Sequence, residues 1–358
     1  MRERYLNDAD LIVVKFGTGI LTDELKRPDE NRMRLLVSQV AAQARAGREV
    51  VVVSSGAVGC GMGALNFDHR PTALADLQAC AAVGQSRLMG IYQRLFAEFD
   101  LTVAQVLLTH DDLRDRDRHL NARNSLVNLL EHGVIPIVNE NDAVSYTELK
   151  FGDNDSLSAM VAALLPADLH VILTTAEGLM ENFGRPDARL LRTVEHIDER
   201  IVRLASGTTS VTAVGGMITK IDAARIATRS GIPTIIANGR SATVLAEIVA
   251  ASETGTFFVP QEGGLKGRKR WIAFFHHPKG SLIVDEGARR ALREKGRSLL
   301  QVGVTECRGT FAAQEVVRIC DADGTEFARG IARIASTDIT PGQAREDEIV
   351  HRDDLVIL

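Results

Sequence analysis

The stretch LIVVKFGTG, residues 11–19, joins a short apolar run to a glycine turn. Five of the six residues 11–16 are apolar, and Lys15 is the exception. A short apolar run rich in β-branched residues and bounded by glycine is typical of a strand buried on both faces, as in a parallel sheet. In such sheets the ligand lies beyond the carboxyl ends of the strands. We therefore expect the chemistry of this protein in the loops that follow its strands.

The same pattern recurs along the first two-thirds of the chain. Further apolar runs occupy residues 50–53, 101–107, 134–138, 169–173 and 233–237. Helical patterns lie between them, at residues 33–46, 74–99, 121–132, 156–165, 197–205 and 218–230. This alternation predicts an α/β fold, in which three layers place a mainly parallel sheet between helices. Aromatic residues make up only 4% of the chain, so its core must consist mainly of aliphatic side chains.

A second, smaller domain is predicted at the end of the chain, because 358 residues exceed the usual size of a single core. The glycine- and charge-rich stretch 259–270 marks the change. We predict a first domain over 1–262, a linker over 263–270 and a mostly β domain over 271–358. Strands are expected at 271–275, 281–284, 315–319 and 326–331, with a helix at 286–295. Asp323-Gly324 suits a hairpin turn.

Composition and cysteine spacing exclude several classes of protein. The formal net charge of −5 argues against a protein that coats nucleic acid. The four cysteines are scattered and do not show metal-ligand spacing, so we expect reduced thiols and no metal site built from side chains: Cys60, Cys80, Cys307 and Cys320. Residues 1–10 are too charged for a signal peptide, and the apolar run 11–14 is too short to span a bilayer. These features predict a cytoplasmic protein with no membrane contact.

The common phosphate-binding fingerprints are absent from the sequence. It contains no GxxxxGK[ST], no GxGxxG after a strand, no GxSxG and no protein-kinase motif. Two strand-end segments offer another way to bind an anion. In the first, KFGTG at 15–19, an ammonium group is followed by glycines. In the second, VSSGA at 53–57, hydroxyl and amide groups converge at the start of a helix.

Two further segments complete this set. The stretch NENDAVSYTELKFGDND, residues 139–155, follows a predicted strand and is rich in carboxylates and amides, which could hold an amino-acid zwitterion or organise magnesium and lysines. The stretch GGMITK, residues 215–220, opens a predicted helix. Each segment alone also has a structural explanation: a glycine turn, a serine cap, a solvated acidic loop or a glycine hinge. Their joint occurrence after strands of one sheet favours a binding site.

Taken together, these motifs resemble the glutamate 5-kinases, a family of the amino-acid kinase superfamily that carries a C-terminal PUA domain. The resemblance covers nearly the whole chain in order. It rests on VVKFGTGIL (13–21), VVVSSGAVG (51–59), LLTHDDLRDRDRHLNARNSL (107–126), IPIVNENDAVS (135–145), FGDNDSLSAMVA (151–162), GGMITK (215–220), RKRWI (268–272) and VDEGA (284–288). The amino-acid kinase fold followed by a small PUA domain is therefore expected.

The resemblance implies an activity and its partners. ATP, with Mg²⁺, would phosphorylate the side-chain carboxylate of L-glutamate to L-glutamyl 5-phosphate, the first step of proline biosynthesis. Proline would inhibit the enzyme by feedback, with its control near residues 117–145. The resemblance further implies a homo-oligomer and functional coupling to glutamate-5-semialdehyde dehydrogenase.

The resemblance also assigns roles residue by residue. Lys15 and Lys220 would contact the transferring phosphoryl group, and Asp155 would hold both lysines. The acceptor would be bound by Ser55, Gly56, Asp142 and Asn154, with Asp142 meeting its ammonium group. ATP would be bound by Lys15, Gly17, Thr174, Thr175, Val214, Gly215, Gly216, Met217, Ile218, Thr219 and Lys220. Thr175 stands where the family commonly has Asp, and Val214 where it often has Thr or Ser, so nucleotide preference stays open.

Two alternatives remain at this stage. The first is a related kinase acting on aspartate, N-acetylglutamate, carbamate or a nucleoside monophosphate. Asp142 favours an acceptor with a free ammonium group, but only the resemblance ranks glutamate above aspartate. The second is an RNA-binding PUA protein with an inactive kinase domain, suggested by the basic run with an aromatic end at Lys266, Arg268, Lys269, Arg270 and Trp271. A solvated linker with Trp271 packed into the small domain is the interpretation we favour.

Overall fold

A computed structural model describes residues 1–23, 27–144, 153–206, 216–265, 267–275, 278–341 and 347–358, and the side chain of Asp153 is outside the description. Val214, Gly215, Lys266 and residues 145–152 of the acidic segment therefore lie outside the described residues. The chain forms two compact units, Met1–Gly264 and Leu265–Leu358. None of the helices in the described ranges combines the length and the apolar character needed to cross a bilayer.

The first unit contains a large sheet and surrounding helices. Its strands are β1 (Leu11–Phe16), β2 (Glu49–Val53), β3 (Val103–Leu108), β4 (Ile135–Glu140), β5 (Leu169–Thr174), β6 (Met180–Glu181), β7 (Arg189–Leu190), β8 (Thr193–Val194), β9 (Thr234–Asn238) and β10 (Thr256–Phe258). Its helices are α1 (Glu3–Leu6), α2 (Thr18–Leu21), α3 (Glu30–Arg45), α4 (Ala57–Ala64), α5 (Leu74–Ala97), α6 (His110–Arg114), α7 (Arg116–Glu131), α8 (Asp153–Leu164), α9 (Glu199–Ser206), α10 (Met217–Arg229) and α11 (Val244–Val249).

The large sheet has eight strands in the order β3-β4-β2-β1-β5-β9-β10-β8. All neighbouring pairs are parallel except β9 and β10, which run antiparallel. The predicted mainly parallel sheet is therefore confirmed, and each of the six predicted strands overlaps one in the structure. The short strands β6, β7, β8 and β10 were not predicted, because runs of two or three residues carry no readable periodicity.

The register of the central strands brings their carboxyl ends to one edge. Lys15 on β1 is paired with Val53 on β2 and with Ile172 on β5. Val53 is in turn paired with Val138 on β4, and the backbone N–H of Ser54 donates to the Val138 carbonyl at 2.8 Å. The residues that follow these strands consequently share one edge, which we call the carboxyl edge.

Close packing of α4 against α5 determines where the segment after β2 lies. A Cβ atom on Gly84 of α5 would lie 1.8 Å from the carbonyl oxygen of Ala57, and one on Gly61 of α4 would lie 1.9 Å from that of Cys80. Only glycine permits such an approach of two helices. Gly56, just before α4, has φ +102°, a left-handed conformation that favours glycine. These three glycines hold the start of α4 at the carboxyl edge.

The second unit is mostly β, as expected. Its strands are β11 (Gly280–Val284), β12 (Leu299–Leu300), β13 (Val304–Gly309), β14 (Val316–Cys320), β15 (Glu326–Ile331), β16 (Glu348–Val350) and β17 (Leu355–Ile357), with helices α12 (Gly267–Arg270) and α13 (Glu286–Lys295) and 3₁₀ turns at Gln301–Gly303, Ser336–Asp338 and Arg352–Asp354. A five-stranded sheet has the order β13-β11-β14-β15-β17, and β12 pairs with β16. The turn at Asp323-Gly324 joins the antiparallel strands β14 and β15, as predicted.

One predicted strand of this unit is wrong. Residues 271–275 form a π-helical turn, Trp271–Phe275, in which Ile272, Ala273 and Phe275 are buried. A run of five apolar residues has no period that separates a strand from a helix. The ring of Trp271 is partly buried and packs against the cluster of Ile272, Val316 and Ile331. This packing agrees with the interpretation favoured above, in which Trp271 packs into the small domain and does not serve as an exposed surface for stacking on RNA bases.

Two arginines of the basic run have structural partners. The guanidinium of Arg270 is only 8% exposed, and its Nε donates to the Leu265 carbonyl at 2.8 Å. Arg268 pairs with Asp354, with 3.0 Å between Nε and Oδ1. Helix α12 thus occupies part of the stretch predicted as a linker, because these side-chain contacts give it an ordered backbone.

Candidate functional site

Three charged side chains meet at the carboxyl edge of the first unit. Lys15 comes from the end of β1, Asp155 from the first turn of α8 and Lys220 from the first turn of α10. The Lys15 Nζ lies 2.7 Å from Asp155 Oδ1, and the Lys220 Nζ lies 3.0 Å from Asp155 Oδ2. Asp155 is fully buried and each lysine is 5% exposed. The structure therefore brings together the two lysines predicted to contact the phosphoryl group and the aspartate predicted to hold them.

Electrostatics keeps the carboxylate of this triad ionised. Burial by itself raises the pKa of Asp155, but the charges of Lys15 and Lys220, with hydrogen bonds from Lys15 and Thr219, hold that pKa well below its usual range. The Thr219 hydroxyl donates to Asp155 Oδ2 at 2.7 Å. Burial lowers the pKa of Lys220, and the Asp155 charge opposes that effect. Asp155 thus acts as a permanent anion between the two ammonium groups.

The three side chains of the triad together carry a net positive charge. Two ammonium groups contact one carboxylate. An anion placed beside both lysines would complete the charge balance. The first turns of α8 and α10 also lie here, and helix N-termini favour negative charge. The arrangement is suited to a phosphoryl group.

The fourth predicted segment opens helix α10. Gly216 is the N-cap residue of α10, as a glycine-opened helix requires. Residues 207–215, which precede it, lie outside the described residues, so the expectation that this segment follows a strand stays a prediction.

A chain of amide hydrogen bonds lies beside the triad and includes two predicted acceptor ligands. The Nδ2 of Asn154 donates to the Ser55 hydroxyl at 3.2 Å and to Asn139 Oδ1 at 3.1 Å. Asn139 Nδ2 donates in turn to Gln85 Oε1 at 2.8 Å. Asn154 adjoins Asp155 on α8, so this chain connects the second and third predicted segments to the triad. Gln85 was missed by sequence reasoning, because a single polar residue in an amphipathic helix carries no distinctive spacing.

A cleft of about 520 Å³ opens next to this amide chain. Its lining includes Ala57 from α4, Gln85 from α5, Gln105 from β3, and Glu140 and Asp142 at and beyond the end of β4. The predicted acceptor ligand Asp142 therefore contributes to the cleft. Burial lowers the pKa of the Arg70 guanidinium, and the charge of Asp142 raises it, so Asp142 also interacts with a cation. Gly56 lies between Ser55 and the start of α4.

The predicted nucleotide-binding residues differ in their burial and in their contacts with the triad. Gly17 follows β1, and its N–H is already used, since it donates to the Leu173 carbonyl at 2.9 Å. Thr174 is half-buried at the end of β5, and Thr175 is exposed. In the first turn of α10, Met217 is buried and Ile218 and Thr219 are half-buried. The Thr219 hydroxyl is hydrogen-bonded to Asp155 of the triad. Val214 and Gly215 lie outside the described residues.

A buried histidine is linked to the backbone of Asp155 through Ser158. His170 on β5 is fully buried, with its Nε2 2.9 Å from Ser158 Oγ and its Nδ1 3.4 Å from Thr234 Oγ1. The Ser158 hydroxyl donates to the Asp155 carbonyl at 2.6 Å, so the serine oxygen accepts from His170 Nε2–H. Burial lowers the pKa of His170 to about 3, although Asp155 opposes that shift. The imidazole is therefore neutral near pH 7.

This histidine should make stability depend on pH. Between about pH 3 and about pH 6.5 the unfolded chain binds a proton at His170 that the folded chain does not, so the free energy of unfolding falls as the pH is lowered through this window. Urea unfolding at pH 7.5 and pH 5.0 measures the effect. We expect the wild type to lose about 2 kcal/mol more over this interval than His170→Leu, since each pH unit below 6.5 contributes about 1.4 kcal/mol.

The exposed His132, at the end of α7, provides the matched control for this measurement. His132→Leu should keep the pH dependence of the wild type. Parallel losses of stability in the wild type and in His170→Leu would show that the buried imidazole is not responsible.

Comparison with known proteins places these features in context. Residues 10–238 match the model of the amino acid kinase family, and residues 280–352 match that of the PUA domain. Glutamate 5-kinase of Geobacter sulfurreducens is 46% identical and that of a Marinomonas species 44% identical, each over 100% of both chains. Glutamate 5-kinase of Moorella thermoacetica is 44% identical over 99% of this chain and 97% of its own.

Solved structures with a similar fold are more distant in sequence. Carbamate kinase from Giardia lamblia bound to AMP-PNP is 18% identical, with a TM-score of 0.53 over 71% of this chain and 100% of its own. UMP kinase from Bacillus anthracis is 14% identical, with a TM-score of 0.50 over 71% of this chain and 97% of its own. At these identities the likeness concerns the fold alone.

Proposed function

Because this chain belongs to the amino acid kinase family, and within it to the glutamate 5-kinases, we propose that it phosphorylates the side-chain carboxylate of L-glutamate with ATP. The product would be L-glutamyl 5-phosphate, the first intermediate of proline biosynthesis. The observation that carries this proposal is the buried triad of Lys15, Asp155 and Lys220. Its net positive charge lies at the carboxyl edge, where the motifs of the family converge.

The triad supports phosphoryl transfer without a general base. A side-chain carboxylate is already ionised at neutral pH, so it can attack directly. One of its oxygens bonds to the γ-phosphorus of ATP, the bond from that phosphorus to the bridging oxygen of ADP breaks, and the electron pair leaves with ADP. Charge on the transferring group is the main obstacle, and Lys15 and Lys220 supply preorganised positive charge beside it. Asp155 maintains their separation and orientation.

Recognition of the acceptor fits the residues of the cleft. Asn154 and Ser55 are hydrogen-bonded to each other, and Asn154 adjoins Asp155, so we assign the side-chain carboxylate of the acceptor to their amide and hydroxyl groups. The carboxylate of Asp142 suits the ammonium group of a free amino acid. An N-acetylated acceptor or a nucleotide phosphate would gain nothing from that charge, whereas aspartate would differ from glutamate only in length.

We assign the nucleotide and its magnesium ion to residues other than those that bind the acceptor amino group. We assign the phosphates of ATP to Lys15, Lys220 and the start of α10, and the rest of the nucleotide to the side of Thr174 and Thr175. No group of three His, Cys, Asp or Glu side chains with metal-binding geometry occurs within the described ranges. We assign Mg²⁺ to the phosphates of ATP, where it would neutralise their charge.

We also assign these sites to residues 1–262 and the PUA domain to residues 271–358. Proline inhibition, a homo-oligomer and coupling to glutamate-5-semialdehyde dehydrogenase belong to the same proposal, since they follow from membership of the glutamate 5-kinases. RNA binding receives less support, because Arg270 is buried and Trp271 packs inside its own unit.

An acyl-phosphate trapping assay tests the proposed function. The purified protein is incubated with ATP, Mg²⁺, hydroxylamine and one acceptor: L-glutamate, L-aspartate or N-acetyl-L-glutamate. We expect hydroxamate with L-glutamate alone, and less of it when proline is added. Hydroxamate with another acceptor would correct the substrate while preserving the chemistry. No hydroxamate from any acceptor, with the protein folded, would contradict the proposal.

A further inference from the structure

The orientation of the Gln85 side-chain amide is determined by a chain of hydrogen bonds that begins at the backbone. The N–H of Glu140 can only donate, and it donates to Asn154 Oδ1 at 3.3 Å. Asn154 Nδ2 therefore faces Asn139, whose Oδ1 accepts at 3.1 Å. Asn139 must then present its Nδ2 to Gln85, whose Oε1 accepts at 2.8 Å. This sequence of donors and acceptors leaves the Nε2 of Gln85 directed away from Asn139.

The Nε2 group of Gln85 is a buried donor with no hydrogen-bond partner among the residues that the structure describes. The residue is 8% exposed. Leaving a buried donor without a hydrogen bond is unfavourable. When a buried donor has no partner in the protein, a bound ligand or an ordered water usually supplies one. Gln85 is also one of the residues that line the cleft containing Asp142. An acceptor molecule in the cleft would supply the missing oxygen.

The chemistry of the cleft indicates which oxygen this is. Asp142 provides a negative charge for an ammonium group, whereas Gln85 provides neutral N–H donors, which suit a carboxylate oxygen. The two groups line the same cleft, and the amide chain that starts from Gln85 reaches Asn154, which adjoins Asp155 of the triad on α8. An α-amino acid whose side chain points toward Lys15 would place its α-carboxylate and ammonium groups between Gln85 and Asp142.

We propose that Gln85 is a specificity-determining residue, which donates its Nε2–H to the α-carboxylate of the acceptor amino acid. The inference rests on the proposed function and deepens it, since it identifies how this site distinguishes an amino acid from a simple carboxylic acid. Asn139 then acts as a positioning residue, because its Nδ2 holds the Gln85 amide in the orientation that presents the donor.

The variant Gln85→Glu tests this role with little change in shape. The new side chain keeps an oxygen for Asn139 Nδ2 but replaces the donor by a second oxygen, which repels a carboxylate. Steady-state hydroxamate formation would be compared for L-glutamate and for its α-amide, L-isoglutamine, whose side-chain carboxylate is intact and whose α-group is uncharged. We expect KM for L-glutamate to rise about 10- to 100-fold, the size of a lost hydrogen bond to a charged group.

The acceptor ratio separates this role from a structural one. The kcat/KM ratio of L-glutamate to L-isoglutamine should fall about 10-fold or more in Gln85→Glu, because the introduced carboxylate repels only the charged acceptor. The KM for ATP should stay within about 3-fold of the wild type. A purely structural defect would lower both acceptors alike, so an unchanged ratio would overturn the proposal.

Two controls complete the experiment. Gln43→Glu introduces the same change at another buried glutamine, which lies on α3 and does not line the cleft. Its Oε1 accepts a hydrogen bond from Arg48 Nη1 at 3.3 Å. This variant should leave the acceptor ratio unchanged. Gln85→Met removes the donor without adding charge. It should also raise KM for L-glutamate, which keeps the test decisive if Gln85→Glu fails to fold. The activity of the wild type with L-glutamate separates failure of the proposed function from failure of the Gln85 proposal. If the wild type is inactive with L-glutamate, the proposed function is contradicted. If the wild type is active and the Gln85 variants behave like it, only the role of Gln85 is contradicted.

Discussion

Replacing Asp155 with Asn should lower kcat at least 100-fold and destabilise the protein at the same time. The amide has the shape of the carboxylate but no negative charge, so Lys15 and Lys220 would lose the charged group that both contact. Their repulsion would displace both from the positions that transfer requires. Removing one member of a buried ion pair typically costs about 3–5 kcal/mol, because the remaining charge is uncompensated. Hydroxamate assays and urea unfolding at pH 7.5 measure the two effects.

The matched control for this variant is Asp222→Asn on α10. Asp222 is exposed and pairs with Arg225 at 3.4 Å, a surface contact that contributes little. We expect its kcat to stay within about 2-fold and its stability within about 0.5 kcal/mol of the wild type. An Asp155→Asn protein that kept more than a tenth of the wild-type kcat would show that the carboxylate does not organise the lysines.

Replacing Lys15 with Met should abolish most activity while leaving stability nearly unchanged. Methionine retains the length and apolar character of the lysine stem but removes the ammonium group. By analogy with the loss of one preorganised donor, kcat should fall about 100- to 1,000-fold. Asp155 keeps Lys220 at 3.0 Å and the Thr219 hydroxyl at 2.7 Å, so its charge remains paired. The free energy of unfolding should therefore change by no more than about 1 kcal/mol.

The exposed Lys279 provides the control, since Lys279→Met removes the same group outside the site and should have normal kcat. A loss of stability in Lys15→Met as large as in Asp155→Asn would contradict the charge balance described here, in which the lysine is the surplus cation. Near-normal activity of folded Lys15→Met would place the transfer site elsewhere.

Much of this architecture follows from local patterns in the sequence. Apolar runs such as 11–16 and 169–173 predicted buried parallel strands, because strands covered on both faces are built mainly from apolar side chains. Helix α13 was predicted with the bounds that the structure has, since Asp285 caps its start and Gly296, with φ +55°, ends it. The motif-bearing loops were correctly placed after β1, β2 and β4, because parallel strands deliver their carboxyl ends to one edge.

Local patterns failed where they were too short. The run 271–275 formed a π-helical turn instead of a strand. The contact of Lys220 on α10 with Asp155 depends on packing, which local patterns do not express. The binding roles expected for Ser55, Asn154 and Asp142 stay predictions, although Ser55 and Asn154 are in hydrogen-bond contact and Asp142 lines the cleft.

The sequence by itself determined which residue types stand at the ends of the strands, and therefore the class of chemistry. Only the tertiary structure decided how they combine. Lys15 and Lys220 are separated by more than 200 residues, and their meeting at one carboxylate depends on the packing of α8 and α10. The direction of the Gln85 donor depends in the same way on a hydrogen-bond order that starts at the backbone of β4. The charge balance of the triad and the direction of the Gln85 donor depend on distances between atoms in the folded chain. These distances cannot be read from the spacing of residues along the sequence.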